Sequence, residues 1–248
     1  ISFYSAMLAI SFLYIAPTKK VETSPRQIDW CLSIIALLVG SYFLWHADLI
    51  AQRITLFDPL TLYDSCAAIT IILLTIEAMR RSVGLGLTVI VLLFISYNLF
   101  GHIIPGAFGH GYIELSHFLD VSIFTTDGLF GVPLRVAGTY AFLFVLFGSA
   151  LERCRGSEFF FDLASALTGR SAGGPAKIAV ISSGLYGTIS GSPTSDVVTT
   201  GAITIPIMKR LGYRASFAGA VEVAASTGGS LLPPVMGAAA FIMAEYTG

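Results

Sequence analysis

The sequence predicts an all-α polytopic membrane protein, and three observations carry that prediction. Of its 248 residues 12% are charged, against about 25% in soluble domains, while 55% are hydrophobic and mean hydropathy is +0.80. Apolar runs recur at roughly the 20-residue length that crosses a hydrocarbon core. The 14 Lys and Arg segregate twelve to two when those runs alternate sides, with only Arg53 and Arg135 on the poorer side. Cytoplasmic loops carry the excess of Lys and Arg, so Arg53 and Arg135 face outward. A net charge of −1 leaves no basic footprint for nucleic acid. Cys31, Cys66 and Cys154 lack metal-ligand spacing and lie in or beside apolar runs, which predicts buried free thiols.

The runs in order are Ile1–Ala16, Ile28–Trp45, Leu60–Met79, Val83–Ile104 and Val132–Leu151. The chain opens inside an apolar run and closes just after another, so a fragment of a longer protein is expected, with no cleavable signal peptide. Asp64 and Glu77 lie near span ends and are expected to be solvated or snorkelled. Between Pro105 and Pro133 there is no Lys or Arg, which predicts an external loop with a short helix around Ile113–Phe124. His102, His110 and His117 follow no single-face helical spacing and read as a solvated or docking surface. In Glu158–Leu167, Phe160, Leu163, Ala164 and Leu167 recur at i, i+3, i+4, i+7. That fits an interfacial helix or an ordinary amphipathic connector.

Two softer stretches follow, Lys177–Met208 and Ala215–Tyr246, both rich in Gly, Ser, Thr and Pro. Lys177 and Lys209 fall on the same side of the membrane, so the stretch between them is expected to enter and leave from the cytoplasm as a re-entrant helical hairpin. Its centre reads Ser190-Gly191-Ser192-Pro193-Thr194-Ser195-Asp196, and Gly and Pro there forbid a continuous helix. Hydroxyl and carbonyl oxygens at such a turn suit a hard monovalent cation, and free N–H groups suit an anionic substrate. A Ser-rich packing seam is the alternative. In the second stretch Thr227-Gly228-Gly229-Ser230 and Pro233-Pro234 predict a discontinuous helix of the kind transporters unwind at a midplane site, or else a kinked packing helix. Asp196 fits a cation ligand or a helix cap. Glu222 fits a partner for a cationic neighbour or a proton carrier. No His follows His117, Thr188 stands where an intramembrane serine protease shows Gly, and no GxxxxGK[ST] occurs. The residues thus point away from an enzyme and toward energy from an ion gradient or another subunit.

The stretch Gly187–Glu245, together with Gly173-Gly174-Pro175-Ala176-Lys177 and Phe142–Gly148, resembles the large membrane subunit of tripartite ATP-independent periplasmic (TRAP) transporters. It looks most like the fused permeases that work with a TAXI-type binding protein. The resemblance implies small-subunit-like helices over 1–82 and scaffold helices over 83–172, with external loop 105–133 and interfacial helix 157–168. It also implies the first half of a transport domain over 173–248, with hairpin 176–211 and broken helix 215–247. Such a fold is the first half of an inverted-repeat, elevator-type ion transporter in the bacterial inner membrane. The function implied is import of an organic acid anion, driven by sodium (or protons) and fed by a periplasmic TAXI-type solute-binding protein. By this resemblance the coupling cation falls to Ser190, Gly191, Ser192, Thr194, Asp196, Thr227 and Gly228. The substrate falls to Ser192, Pro193, Thr194, Ser195, Pro233 and Pro234. No other cofactor, no transition metal and no nucleic acid is implied. Pro193 departs from the small residue usual at the tip and removes one N–H donor. A stand-alone anion transporter without a binding protein and a non-transporting scaffold subunit are the competing readings.

Overall fold

Apolar runs without Gly or Pro breaks satisfy their backbone groups internally by coiling into helices, and every regular element among the described residues is helical. The structure, a computed structural model, describes residues 1–16, 25–106, 108–233 and 236–247. Two units of packed helices result, residues 1–134 and 135–248. Four helical stretches are long and apolar enough to cross a membrane: Gln27–Trp45, Leu62–Ser82, Leu85–Ile103 and Val132–Arg153. They coincide with four of the runs read from the sequence; the first run forms a shorter apolar helix, Ser2–Tyr14.

The first unit contains α1 (Ser2–Tyr14), α2 (Gln27–Trp45), α3 (Ala47–Gln52), α4 (Leu62–Ser82), α5 (Leu85–Phe100) and α6 (Leu115–Ile123). Its core gathers Phe12, Ala36, Phe43, Ala68, Ile71, Leu119 and Ile123 from α1, α2, α4 and α6. Small residues set the α1–α2 approach: a Cβ on Gly40 would stand 2.0 Å from Ser5 Oγ. On α5 only Thr88 is buried, while Leu87, Ile90, Leu93 and Phe94 are exposed. So broad an apolar surface suits lipid rather than water.

Polar groups fasten the ends of these helices. Arg81 donates to Asp29 Oδ1 at 2.7 Å and to Glu77 Oε1 at 2.7 Å, and its guanidinium lies over the Phe12 ring. Glu77 is therefore paired rather than merely solvated. Asp64 likewise closes a capping box with Thr61 and accepts the Tyr42 hydroxyl at 2.7 Å. Arg53 reaches Asp120 Oδ1 at 2.9 Å, and Leu56 N–H donates to Asp120 Oδ2 at 2.8 Å, which binds the α3–α4 connection to α6.

The three cysteines are free, but all are exposed, which corrects the expectation of buried thiols. An apolar run implies burial only where water is the solvent. Cys31 and Cys66 sit on outward faces of α2 and α4, where a lipid-facing thiol costs nothing, and Cys154 lies in the turn after α8 between Arg153 and Arg155.

In the loop after α5, both ring nitrogens of His110 face carbonyl oxygens, Nε2 to Tyr97 O at 2.9 Å and Nδ1 to Gly111 O at 2.7 Å. Two acceptors favour the doubly protonated ring, so the imidazole is held above its ordinary value. A raised folded-state pKa stabilises the loop fully below the unfolded value of about 6.5 and ceases to do so as pH rises through the folded value. Hydrogen exchange over residues 101–106 and 108–112 should accelerate as pH climbs past that point, beyond the intrinsic pH effect, and His110→Gln should remove the excess. An excess that persists in the variant would assign it to another group.

The second unit contains α7 (Val132–Val136) from Arg135 on, then one π-helical turn (Ala137–Ala141) and α8 (Phe142–Arg153). Next come α9 (Gly156–Thr168), α10 (Gly174–Ser190), α11 (Pro193–Thr199), α12 (Gly201–Arg210), α13 (Ala215–Gly229) and α14 (Ala238–Thr247). The predicted face of α9 divides. Ala164 is buried and Phe160 meets the Tyr186 ring edge-on, whereas Leu163 and Leu167 are exposed. Phe241 of α14 stacks on Tyr140 and Phe144, and Glu245 pairs with Arg135.

Candidate functional site

The site grows from two interruptions of helix in the second unit. At the first, α10 ends on Gly191 in the left-handed conformation (φ 60°), which glycine adopts without a Cβ penalty. Ser192 turns extended and caps α11, and Pro193 opens that helix, where its missing N–H is not needed. The chain then doubles back, so that α12 packs beside α10. At the second interruption α13 stays helical through Gly229, and the chain resumes as α14 at Ala238. The break thus begins after Gly229, one turn later than Thr227. The two interruptions meet: a Cβ on Gly237 would lie 3.6 Å from Gly191 O.

Under the tip lies Asp196, fully buried. Its N–H donates to Ser192 O at 3.0 Å, and its Oδ1 accepts the Ser190 hydroxyl. Its Oδ2 is buried with no hydrogen-bond partner. A Cβ on Gly187 would stand 2.9 Å from that oxygen, so absence of a side chain at 187 makes room for it. Ser190 Oγ also accepts the Ser192 N–H at 3.2 Å. The carboxylate side chain is thus not the cap of α11; Ser192 Oγ is, accepting from Ser195 N at 3.5 Å. An orphaned buried carboxylate oxygen beside a serine hydroxyl suits a hard cation.

Deeper in the unit lies a second polar knot. Glu222 of α13 is fully buried, its Oε1 accepting from Thr200 Oγ1 at 2.5 Å and its Oε2 from Thr204 Oγ1 at 2.5 Å. Ser183 of α10 and Ser226 of α13 join by their hydroxyls at 2.8 Å, and Thr200 Oγ1 lies 3.3 Å from Ser183 Oγ. Neither Asp196 nor Glu222 forms an ion pair with a Lys, Arg or His among the described residues.

The structure sorts the predicted residues. Ser190, Gly191, Ser192 and Asp196 come together at the tip. Thr194 is exposed, and Ser195 is half-buried with its N–H on Ser192. Thr227 is exposed and its hydroxyl back-bonds to Val223 O at 2.7 Å, while Gly228 sits in the last turn of α13. Pro193 is half-buried and Pro233 exposed; Pro234 lies outside the described residues. Thr200, Thr204, Ser183 and Ser226 lie outside the motifs that mark the candidate residues in the sequence. A signal was present: Thr200 and Thr204, like Glu222 and Ser226, are four apart and share a helix face. Among the described residues no three His, Cys, Asp or Glu converge as a metal-ligand set.

A multi-pass helical membrane protein in which a hairpin turn meets an interrupted helix over a buried carboxylate has the build of a membrane permease. The family described as "Tripartite ATP-independent periplasmic transporter, DctM component" matches residues 70–248, and the chain belongs to it. The C4-dicarboxylate TRAP transporter large permease protein DctM of Pseudomonas aeruginosa is 30% identical over 129 residues, 49% of this chain and 30% of that protein. The uncharacterized protein YgiK of Salmonella typhimurium is 33% identical over 91 residues, 37% of this chain and 21% of that protein. The chain thus spans between about a fifth and a third of these curated relatives. No solved structure matches.

Proposed function

We propose that this chain is part of the permease of a binding-protein-dependent secondary transporter in the bacterial inner membrane. It imports an organic acid anion on a sodium gradient, and a TAXI-type periplasmic protein delivers the substrate. The observation that carries this reading is the unpartnered, buried Oδ2 of Asp196 beside Ser190, where the hairpin turn meets the interrupted helix. A monovalent cation would satisfy that oxygen and offset the buried charge. Membership of the DctM family and the dicarboxylate named for the P. aeruginosa relative support an anionic, carboxylate-bearing substrate. At the tip, Pro193 offers no N–H, and those of Ser192 and Ser195 turn onto serine hydroxyls. Exposed Thr194 is then the tip residue left to meet a substrate carboxylate. The hairpin 176–211 and the broken helix 215–247 are, on this reading, the moving half-site, and 1–82 and 83–172 the scaffold.

Uptake in proteoliposomes holding the full-length permease tests this, with and without its binding protein, under separate sodium and proton gradients. Uptake should need both the binding protein and sodium. A charge-assisted ligand contributes about 1.5–3 kcal/mol, so Asp196→Asn should raise the sodium concentration for half-activation roughly ten- to a hundredfold. Expression and fold should persist, because Ser192 caps the helix. Unchanged sodium dependence in Asp196→Asn would remove this residue from the site. Uptake without the binding protein would favour a stand-alone transporter.

A further inference from the structure

Glu222 is not used by the cation reading, yet it is the most completely enclosed acid of the unit along with Asp196. Its surroundings can be counted proton by proton. Thr200 Oγ1 has three acceptors in reach, Asp196 O at 2.7 Å, Glu222 Oε1 and Ser183 Oγ at 3.3 Å. Thr204 Oγ1 has two, Thr200 O at 3.1 Å and Glu222 Oε2. Each hydroxyl carries one hydrogen and can serve one acceptor at a time. With Glu222 ionised, both hydroxyls turn to the carboxylate and release the main-chain carbonyls, which the helix N–H groups still serve: Thr200 N–H on Asp196 O at 2.8 Å and Thr204 N–H on Thr200 O at 2.9 Å. With a proton on Oε2, the carboxyl donates to Thr204 Oγ1, and the Thr204 hydroxyl swings to Thr200 O. Both protonation states are satisfied by the same heavy-atom positions.

The groups around Glu222 leave its charge unanswered when it is ionised. The acid buried on α11 is Asp196, whose main-chain oxygen shares Thr200 Oγ1 with Glu222, and the ionisable side chain buried on α10 is Tyr186. From the α11–α12 junction and α12 it meets Thr200 and Thr204, and a Cβ on Gly201 would stand 3.1 Å from its Cγ. The basic groups of these helices, Lys177 on α10, Lys209 and Arg210 ending α12 and Arg214 before α13, are exposed. Among the described residues no Lys, Arg or His pairs with a carboxylate here, so the ionised form is costly.

We propose that Glu222, framed by Thr200 and Thr204, is a proton-binding site separate from the cation site at Asp196, loading one proton from water and releasing it unchanged. The step is a bare protonation: the carboxylate takes H⁺ at Oε2, and one hydroxyl hydrogen reorients. Because Glu222, Thr200 and Thr204 are sealed between the hairpin and α13, the proton exchanges only when those helices part. Loading is thereby tied to motion of the hairpin. Its role in coupling rests on the transporter reading; the proton site itself does not.

Infrared difference spectra of the purified full-length permease in lipid, recorded between about pH 5 and about pH 9, test it without transport. A protonated-carboxyl C=O band should appear as pH falls, vanish in Glu222→Gln and survive in Asp196→Asn. Glutamine keeps the shape and supplies a donor for Thr204, so this variant should fold. Thr204→Val, which removes the acceptor for the carboxyl hydrogen, should move the band and its midpoint pH. No such band, a band unaltered in Glu222→Gln, or one of constant amplitude across the range would overturn the proposal. Loss of sodium activation in Asp196→Asn with the Glu222 band intact, or the reverse, separates the two sites.

Discussion

Gly187→Leu should separate α10 from α13, with loss of folded protein on thermal unfolding. Even one carbon is too many there. A Cβ on Gly187 would stand 2.6 Å from Gly229 Cα, 3.0 Å from Gly229 C and 2.9 Å from Asp196 Oδ2. Two of those atoms are backbone and cannot swing aside, and the contact is reciprocal, since a Cβ on Gly229 would lie 2.9 Å from Gly187 Cα. Two effects oppose each other in the alanine variant. Replacing a glycine within a helix gains up to about 1 kcal/mol of helix propensity, whereas overpacking costs about 1–3 kcal/mol. With backbone as the obstacle the second should win, so Gly187→Ala should lower stability by about 1–2 kcal/mol. Gly219, also within a helix, has nothing within 4 Å of its Cβ position. Gly219→Ala should therefore be neutral or stabilising by up to about 1 kcal/mol. Equal melting temperatures for the two alanine variants would refute the close-contact account.

Arg81→Ala should destabilise the first unit by about 3–5 kcal/mol, the cost of leaving a buried charge without its partner. The side chains of Arg81 and Asp29 are 3% and 5% exposed, so water cannot replace the lost contact. Arg81 also donates to Glu77 and to Ile15 O, and so joins α1, α2 and α4 through one guanidinium. Lysine, without the planar fork, should recover part of the loss. Arg81→Met combined with Asp29→Leu should cost far less than Arg81→Ala, because no charge is then stranded. The exposed Arg155–Glu158 pair, at 80% and 57% exposure and 3.8 Å, should change stability by about 1 kcal/mol or less when broken. Thermal unfolding in detergent of the single and double variants decides this. A cost for Arg81→Ala no larger than for Arg155→Ala would show that the cluster is solvated.

Composition and local pattern determined much of this protein by themselves. Four spans, the short helix around residue 119, the turn at Gly191-Ser192 and the interruption before α14 all follow from where apolar runs stop and where Gly and Pro stand. These are local effects: a backbone that needs its hydrogen bonds met, and residues that cannot continue a helix. The family followed from residues 187–245, where the interruptions and the acids are concentrated.

Tertiary structure alone decided which of those residues belong to a site. Thr227 and Asp196 looked alike as candidates, but one turns its hydroxyl back onto its own helix and the other is buried with an oxygen left over. Thr200 and Thr204 looked like ordinary helix residues until α13 brought Glu222 against them. The cysteines, read as buried from their apolar neighbours, turned out exposed. The reason is the same in each case. Hydropathy records which segments leave water, but in a lipid-facing bundle it does not distinguish a face against lipid from a face against another helix. That distinction is made by close packing of small residues such as Gly187 on Gly229, 42 positions apart in the chain.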